Sequence, residues 1–87
     1  MGSNFYKMTL KLTAFGIAKD ILGKRQLEWE VSEASDIANL KQSLLKKYPA
    51  FADLANLSFA VGEEYREDDF SLSENAEVVI IPPVAGG

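Results

Sequence analysis

Met8-Thr9-Leu10-Lys11-Leu12-Thr13-Ala14 sets the architecture, because its residues alternate strictly in polarity. Met8, Leu10, Leu12 and Ala14 fall on one side of an extended chain, and Thr9, Lys11 and Thr13 fall on the other. The stretch therefore reads as a half-buried strand. A second alternating run, Gln26-Leu27-Glu28-Trp29-Glu30-Val31, follows after Phe15-Gly16 and a short apolar segment over residues 17–22 that stops at Gly23. That segment predicts a brief helical turn. The two runs predict a hairpin, with Leu27, Trp29 and Val31 on the inner face of its second strand.

Beyond the hairpin, Ser35 or Asp36 is placed to cap a helix whose apolar stripe is Ile37, Leu40, Leu44, Leu45 and Tyr48. Lys46 and Lys47 in the last turn complement the helix dipole, and Pro49 closes it. Leu57, Phe59 and Val61 then alternate with Ser58, Ala60 and Gly62 in a third strand, which runs into a polar turn at Glu63-Glu64 with Tyr65 just past it. Ser73-Glu74-Asn75 reads as another turn, and residues 76–81 as an apolar last strand broken only by Glu77. Strand, strand, helix, strand, strand is the order of a ubiquitin-like β-grasp, an α+β fold with a mixed sheet packed on one main helix. Trp29, Tyr48 and Phe59 sit at core parity and read as packing residues. The domain is expected over residues 8–81, with an extended tail over 82–87. Residues 1–7, opening Met1-Gly2-Ser3, read as a cloning remnant or disordered N-terminus, with Met8 available as a start.

With 87 residues, this is one domain, too small to enclose a deep active site between two lobes, so its chemistry is expected to need a partner. The chain has no cysteine and no histidine. Disulfides, thiolate or imidazole metal sites, a cysteine nucleophile and the commonest general base are thereby excluded together. No metal site is expected. A formal charge of −4 argues against nucleic acid as the ligand, since phosphate binding draws on clustered Lys and Arg. No apolar run approaches the roughly 20 residues that span a bilayer, and the N-terminus lacks a signal-peptide core, so no membrane contact and a cytoplasmic location are the expectations.

The chain finishes Pro82-Pro83-Val84-Ala85-Gly86-Gly87. Two prolines fix φ twice and favour a stiff polyproline exit from the last strand. Gly86 and Gly87 lack a Cβ, so bare backbone can enter a narrow channel and bring a carboxylate to another protein's catalytic groups. The carboxylate is inert until activated, for example as an acyl-adenylate, and then reacts with sulfur, nitrogen or oxygen nucleophiles. A terminal Gly-Gly alone can equally be an incidental chain end. What favours a function is its position directly after a rigid di-proline and a strongly apolar strand.

Ile81-Pro82-Pro83-Val84-Ala85-Gly86-Gly87 resembles the C-terminal signature of the molybdopterin synthase small-subunit family of ubiquitin-like sulfur carriers. Leu12-Thr13-Ala14-Phe15-Gly16-Ile17-Ala18-Lys19-Asp20-Ile21-Leu22-Gly23 is similar to that family's first strand, aromatic residue and short helix, and the likeness covers roughly residues 8–87. Two turns depart from the family pattern: Asn75-Ala76 stands where Gly-Asp is frequent, and Gly62 where Asn is frequent. The resemblance implies that an ATP-dependent activating enzyme adenylates Gly87 and that a sulfur donor protein converts it to a thiocarboxylate. It further implies that Pro82, Pro83, Val84, Ala85 and Gly86 enter the large synthase subunit's active site. There the sulfur passes to a cyclic pyranopterin phosphate during molybdenum cofactor biosynthesis. The implied assembly is a heterotetramer, with ATP used by the activating partner and no cofactor held by this chain. Without cysteine, only the terminus can carry activated sulfur covalently, a point that rests on composition alone.

Parity also predicts a docking face, since a sheet with one covering helix has one open side. Phe15 continues the Thr9, Lys11, Thr13 side, and Val79 and Ile81 share a side with Glu77, so all three are expected outward. The family resemblance adds Tyr65 to this contact set. Packing under loops is the competing expectation, because sheet ends curl. Glu63, Glu64, Glu67, Asp68 and Asp69 read as a solvated acidic loop, or as a rim pairing with a basic partner. Sulfur carriage for thiazole in thiamine synthesis or for another thio-compound, protein modification through Gly87, and simple ubiquitin-like binding are the alternative functions.

Overall fold

A computed structural model describes residues 7–54 and 57–82. Alternation produces strand β1 at Lys7–Ala14, one residue earlier than the polarity pattern marks, and β2 at Gln26–Ser32. Between them α1 spans Gly16–Leu22 and stops at Gly23, whose N–H donates to the Lys19 carbonyl at 2.8 Å. Helix α2 covers Ile37–Lys47, a 3-10 turn covers Pro49–Asp53, and three more strands follow: β3 at Ser58–Val61, β4 at Glu64–Tyr65 and β5 at Glu77–Ile81. The five strands form one sheet in the order β2-β1-β5-β3-β4. β1 and β5 run parallel at its centre, and the other neighbours are antiparallel. This is the β-grasp arrangement expected from element order.

Met8, Leu10, Leu12, Ala14, Trp29, Val31, Phe59, Val78 and Ile80 are buried on the inner face of the sheet. Ile37, Leu40 and Leu44, at helical spacing on α2, complete the core with them. Leu45 does not belong to that stripe; it is 40% exposed. One position past Leu44 it is turned by about 100° around the helix axis. Pro49 ends α2 but starts the 3-10 turn, which the alternation and helix patterns did not show, and that turn buries Phe51 against α1 and α2. Trp29 is held from both sides: its indole N–H donates to Ser43 Oγ at 2.9 Å, and its ring lies 6.1 Å from that of Tyr48.

Of the two candidate caps, Asp36 is the one used. Its carboxylate accepts from the Asn39 N–H (2.9 Å) while Asn39 Oδ1 accepts from the Asp36 N–H (3.1 Å), a reciprocal box worth about 1 kcal/mol. The next orphan donors of that helix end are taken by a distant loop, Ile37 N–H to the Phe70 carbonyl (3.1 Å) and Ala38 N–H to the Asp68 carbonyl (3.0 Å). Lys41 Nζ adds an ion pair to Asp68 at 2.6 Å. The acidic loop is thus tied to α2. Asn75 adopts φ 64° in the turn before β5, a left-handed conformation that asparagine tolerates better than most residues.

Candidate functional site

Register places the residues of the open sheet face in rows. Thr13 stands opposite Gln26 on one side and Val79 on the other, Val79 opposite Ala60, and Ala60 opposite Tyr65. One step further towards the end of β5, Ile81 stands opposite Ser58. The last parallel pair is Ala14 with Ile80, so Phe15 emerges beside Ile81. Phe15, Val79 and Ile81 therefore gather at one end of the sheet. Tyr65 sits two strands from Val79, about 10 Å away at ordinary strand spacing.

Exposure separates the members of this group. Tyr65 is 71% and Phe15 43% exposed, whereas Val79 and Ile81 are half-buried rather than fully outward. Ala60 is buried although parity puts it on the open face, its small side chain lying between Val79 and Tyr65 in the row. Two neighbours escaped the pattern reading. Ile17 is 46% exposed in the first turn of α1, while Ala18 and Leu22 carry that helix's buried face. Arg25 lies with its guanidinium 5.2 Å from the centre of the Phe15 ring, a cation–π contact that keeps the ring displayed. Helical spacing alone groups Ile17 with Ile21, so no sequence signal distinguished it.

The tail begins at this patch. Gly16 holds φ 54°, a left-handed conformation that a β-carbon disfavours. A Cβ built there would lie 3.6 Å from Pro82 Cγ, so the ring of Pro82 rests against the start of α1. Pro82 is half-buried, and Phe15, Gly16, Ile81 and Pro82 form the tail's root. Pro83, Val84, Ala85, Gly86 and Gly87 lie outside the described residues.

Tyr65 is presented by a two-residue hairpin turn, Gly62-Glu63, with φ of 65° and 69°. Two successive positive φ values match the twist of a tight hairpin, and Glu63 tolerates one of them at a cost of about 1 kcal/mol. Arg66 braces the turn: its Nε donates to the Val61 carbonyl at 3.1 Å, its guanidinium lies 4.4 Å from the Phe70 ring centre, and NH1 is 3.5 Å from Glu64. Among the described residues, no three acidic side chains converge as a cation site, and no helix is long and apolar enough to cross a membrane. An apolar face at a tail's root can seat a partner and aim a terminal carboxylate into it.

Comparison with known proteins bears on this geometry. A family model described as the ThiS family matches residues 12–87. The chain is 34% identical over 83 residues to the molybdopterin synthase sulfur carrier subunit of Caenorhabditis briggsae, covering 92% of this chain and 99% of that one. It is 33% identical over 81 residues to the protein of the same description from Dictyostelium discoideum, covering 88% and 94%. The crystal structure of Haloferax volcanii small archaeal modifier protein 1 shares the fold, with a TM-score of 0.77 at 14% identity over 88% of this chain and 99% of that one.

Proposed function

This chain belongs to the ThiS family, and we propose from that premise that it is the sulfur-carrying small subunit of a molybdopterin synthase. The relatives described as sulfur carrier subunits of that enzyme support the reading. The observation that carries it is the tail's root: Ile81 and Pro82 leave the central strand beside an exposed apolar patch, and Gly86-Gly87 follow in the sequence. Activation begins when a Gly87 carboxylate oxygen attacks the α-phosphorus of ATP on an activating enzyme, releasing pyrophosphate. A persulfide on a donor protein then attacks the acyl carbon and displaces AMP, and a second thiol of the donor cleaves the resulting acyl disulfide, forming a disulfide on the donor and leaving a thiocarboxylate with one sulfur in place of one oxygen. The large subunit receives the tail, the thiocarboxylate sulfur bonds to the pterin precursor, and water cleaves the resulting thioester, leaving the sulfur on the pterin and regenerating the carboxylate. With no cysteine in the chain, no thiol competes for the activated acyl group within the carrier.

Intact mass after incubation with host extract, ATP and a sulfur donor tests the reading. A gain of about 16 daltons is expected, sulfur for oxygen at Gly87. Covalent attachment of the chain to other proteins would instead establish a modifier, and an unchanged mass in a competent extract would overturn both.

The exposed patch makes a separate prediction. Tyr65→Ala leaves thermal stability unchanged, because the side chain is 71% exposed, but weakens binding to the large subunit by about tenfold or more, as loss of an aromatic anchor does. Calorimetric titration measures it. Unaltered affinity would place the docking surface elsewhere.

A further inference from the structure

We propose that the free edge of β2 is a docking strand for an extended protein segment of alternating basic, acidic, basic sequence. This goes beyond the sulfur-carrier reading, since it concerns the sheet edge opposite Tyr65 and a different partner surface. The backbone sets the edge. Ala14 N–H donates to the Arg25 carbonyl at 2.8 Å, and hydrogen-bonded pairs in an antiparallel ladder recur every second residue, so Leu27, Trp29 and Val31 bond to β1. Gln26, Glu28, Glu30 and Ser32 consequently turn their N–H and C=O groups away from β1. On the far side of β1, Asn75 N–H bonds the Thr9 carbonyl and Lys11 N–H the Ala76 carbonyl, which confirms the phase. Among the described residues, no strand pairs with that edge of β2.

Beside this edge runs a groove of about 540 Å³ lined by Glu28, Trp29, Glu30, Ser43, Lys46 and Lys47. Its charges are sorted by face. On the open face, Glu28 stands opposite Lys11 and Glu30 lies 4.0 Å from Lys7, the first two rungs of an opposite-charge ladder that a basic residue on an added strand would extend. On the helix side, Lys46 and Lys47 close the last turn of α2, with the Lys47 ammonium 5.5 Å from the centre of the Trp29 ring. An added strand alternates its side chains between these two faces. Residues flanking Glu28 and Glu30 must be basic, and the residue between them, over Trp29, must be acidic. A second copy of this chain is the wrong occupant, because β2 against β2 sets carboxylates against carboxylates.

The test is a capped peptide, Thr-Lys-Glu-Lys-Thr, titrated into the nitrogen-15-labelled full chain. Amide shifts should centre on Glu28, Glu30 and the Trp29 indole N–H, with a dissociation constant of about 1 mM, as expected for one short strand. The charge-swapped peptide Thr-Glu-Lys-Glu-Thr should bind at least about tenfold more weakly, and the double variant Glu28→Lys/Glu30→Lys should reverse that preference. Equal binding of the two peptides, shifts centred on Tyr65, or no shift up to about 10 mM overturns the proposal. Removing Gly87 leaves this binding unchanged, so the test is independent of sulfur carriage.

Discussion

A chain ending at Gly86 is expected to gain no thiocarboxylate at the position a partner can use, and to support sulfur transfer at least about a thousandfold more slowly. Removing one residue draws the reactive carbon back by about 3.5 Å. A displacement of only 1 Å from productive geometry costs about 10²-fold, so a full residue exceeds what partner adjustment can recover. The sheet and its core end at Ile81, so the truncated domain should unfold at the same temperature as the full chain. Product formation with the large subunit and an excess of sulfur donor provides the measurement. If the shortened chain retained activity within about tenfold, the terminal glycine would not be the reactive group.

The second large effect lies in the core. Phe51→Ala should lower stability by about 3–5 kcal/mol, a major share of the roughly 5–15 kcal/mol that holds a small domain together. Phe51 is 2% exposed and meets Tyr48 edge to face, with ring centres 6.3 Å apart at 90°. Its loss leaves a cavity between α1, α2 and the 3-10 turn, too large for neighbouring side chains to fill by rotamer shifts alone. A urea titration should show the midpoint falling with the slope little changed. A loss under about 1 kcal/mol would mean that the turn merely covers the core instead of belonging to it.

Polarity made the sheet legible because a strand reports its burial every second residue. Leu10, Leu12, Trp29, Phe59, Val78 and Ile80 are buried where alternation placed them, and Thr13, Val79 and Ile81 share the opposite side. The same logic could not find Phe51, since five residues of 3-10 turn offer no repeat to detect. Nor could it place Leu45, because an apolar residue at the margin of a helical stripe is buried only if the sheet extends that far. The two-residue β4 was equally hidden; Glu64 and Tyr65 are both exposed, and their pairing follows from the turn geometry at Gly62-Glu63. At the candidate site, parity supplied Phe15, Val79 and Ile81, while Arg25 over Phe15 is a contact between side chains ten positions apart that no local pattern encodes.

The strand from which the tail departs is flanked on both sides, by β1 and by β3. A partner that grips the tail and tugs along the axis of β5 therefore loads two ladders lengthwise, and their hydrogen bonds share the strain at once. Peeling, in which bonds fail one after another, is the mode open to an edge strand such as β4. Under the sulfur-carrier reading, a tail rooted on a strand held from both sides lets the domain keep its fold each time a partner pulls on it.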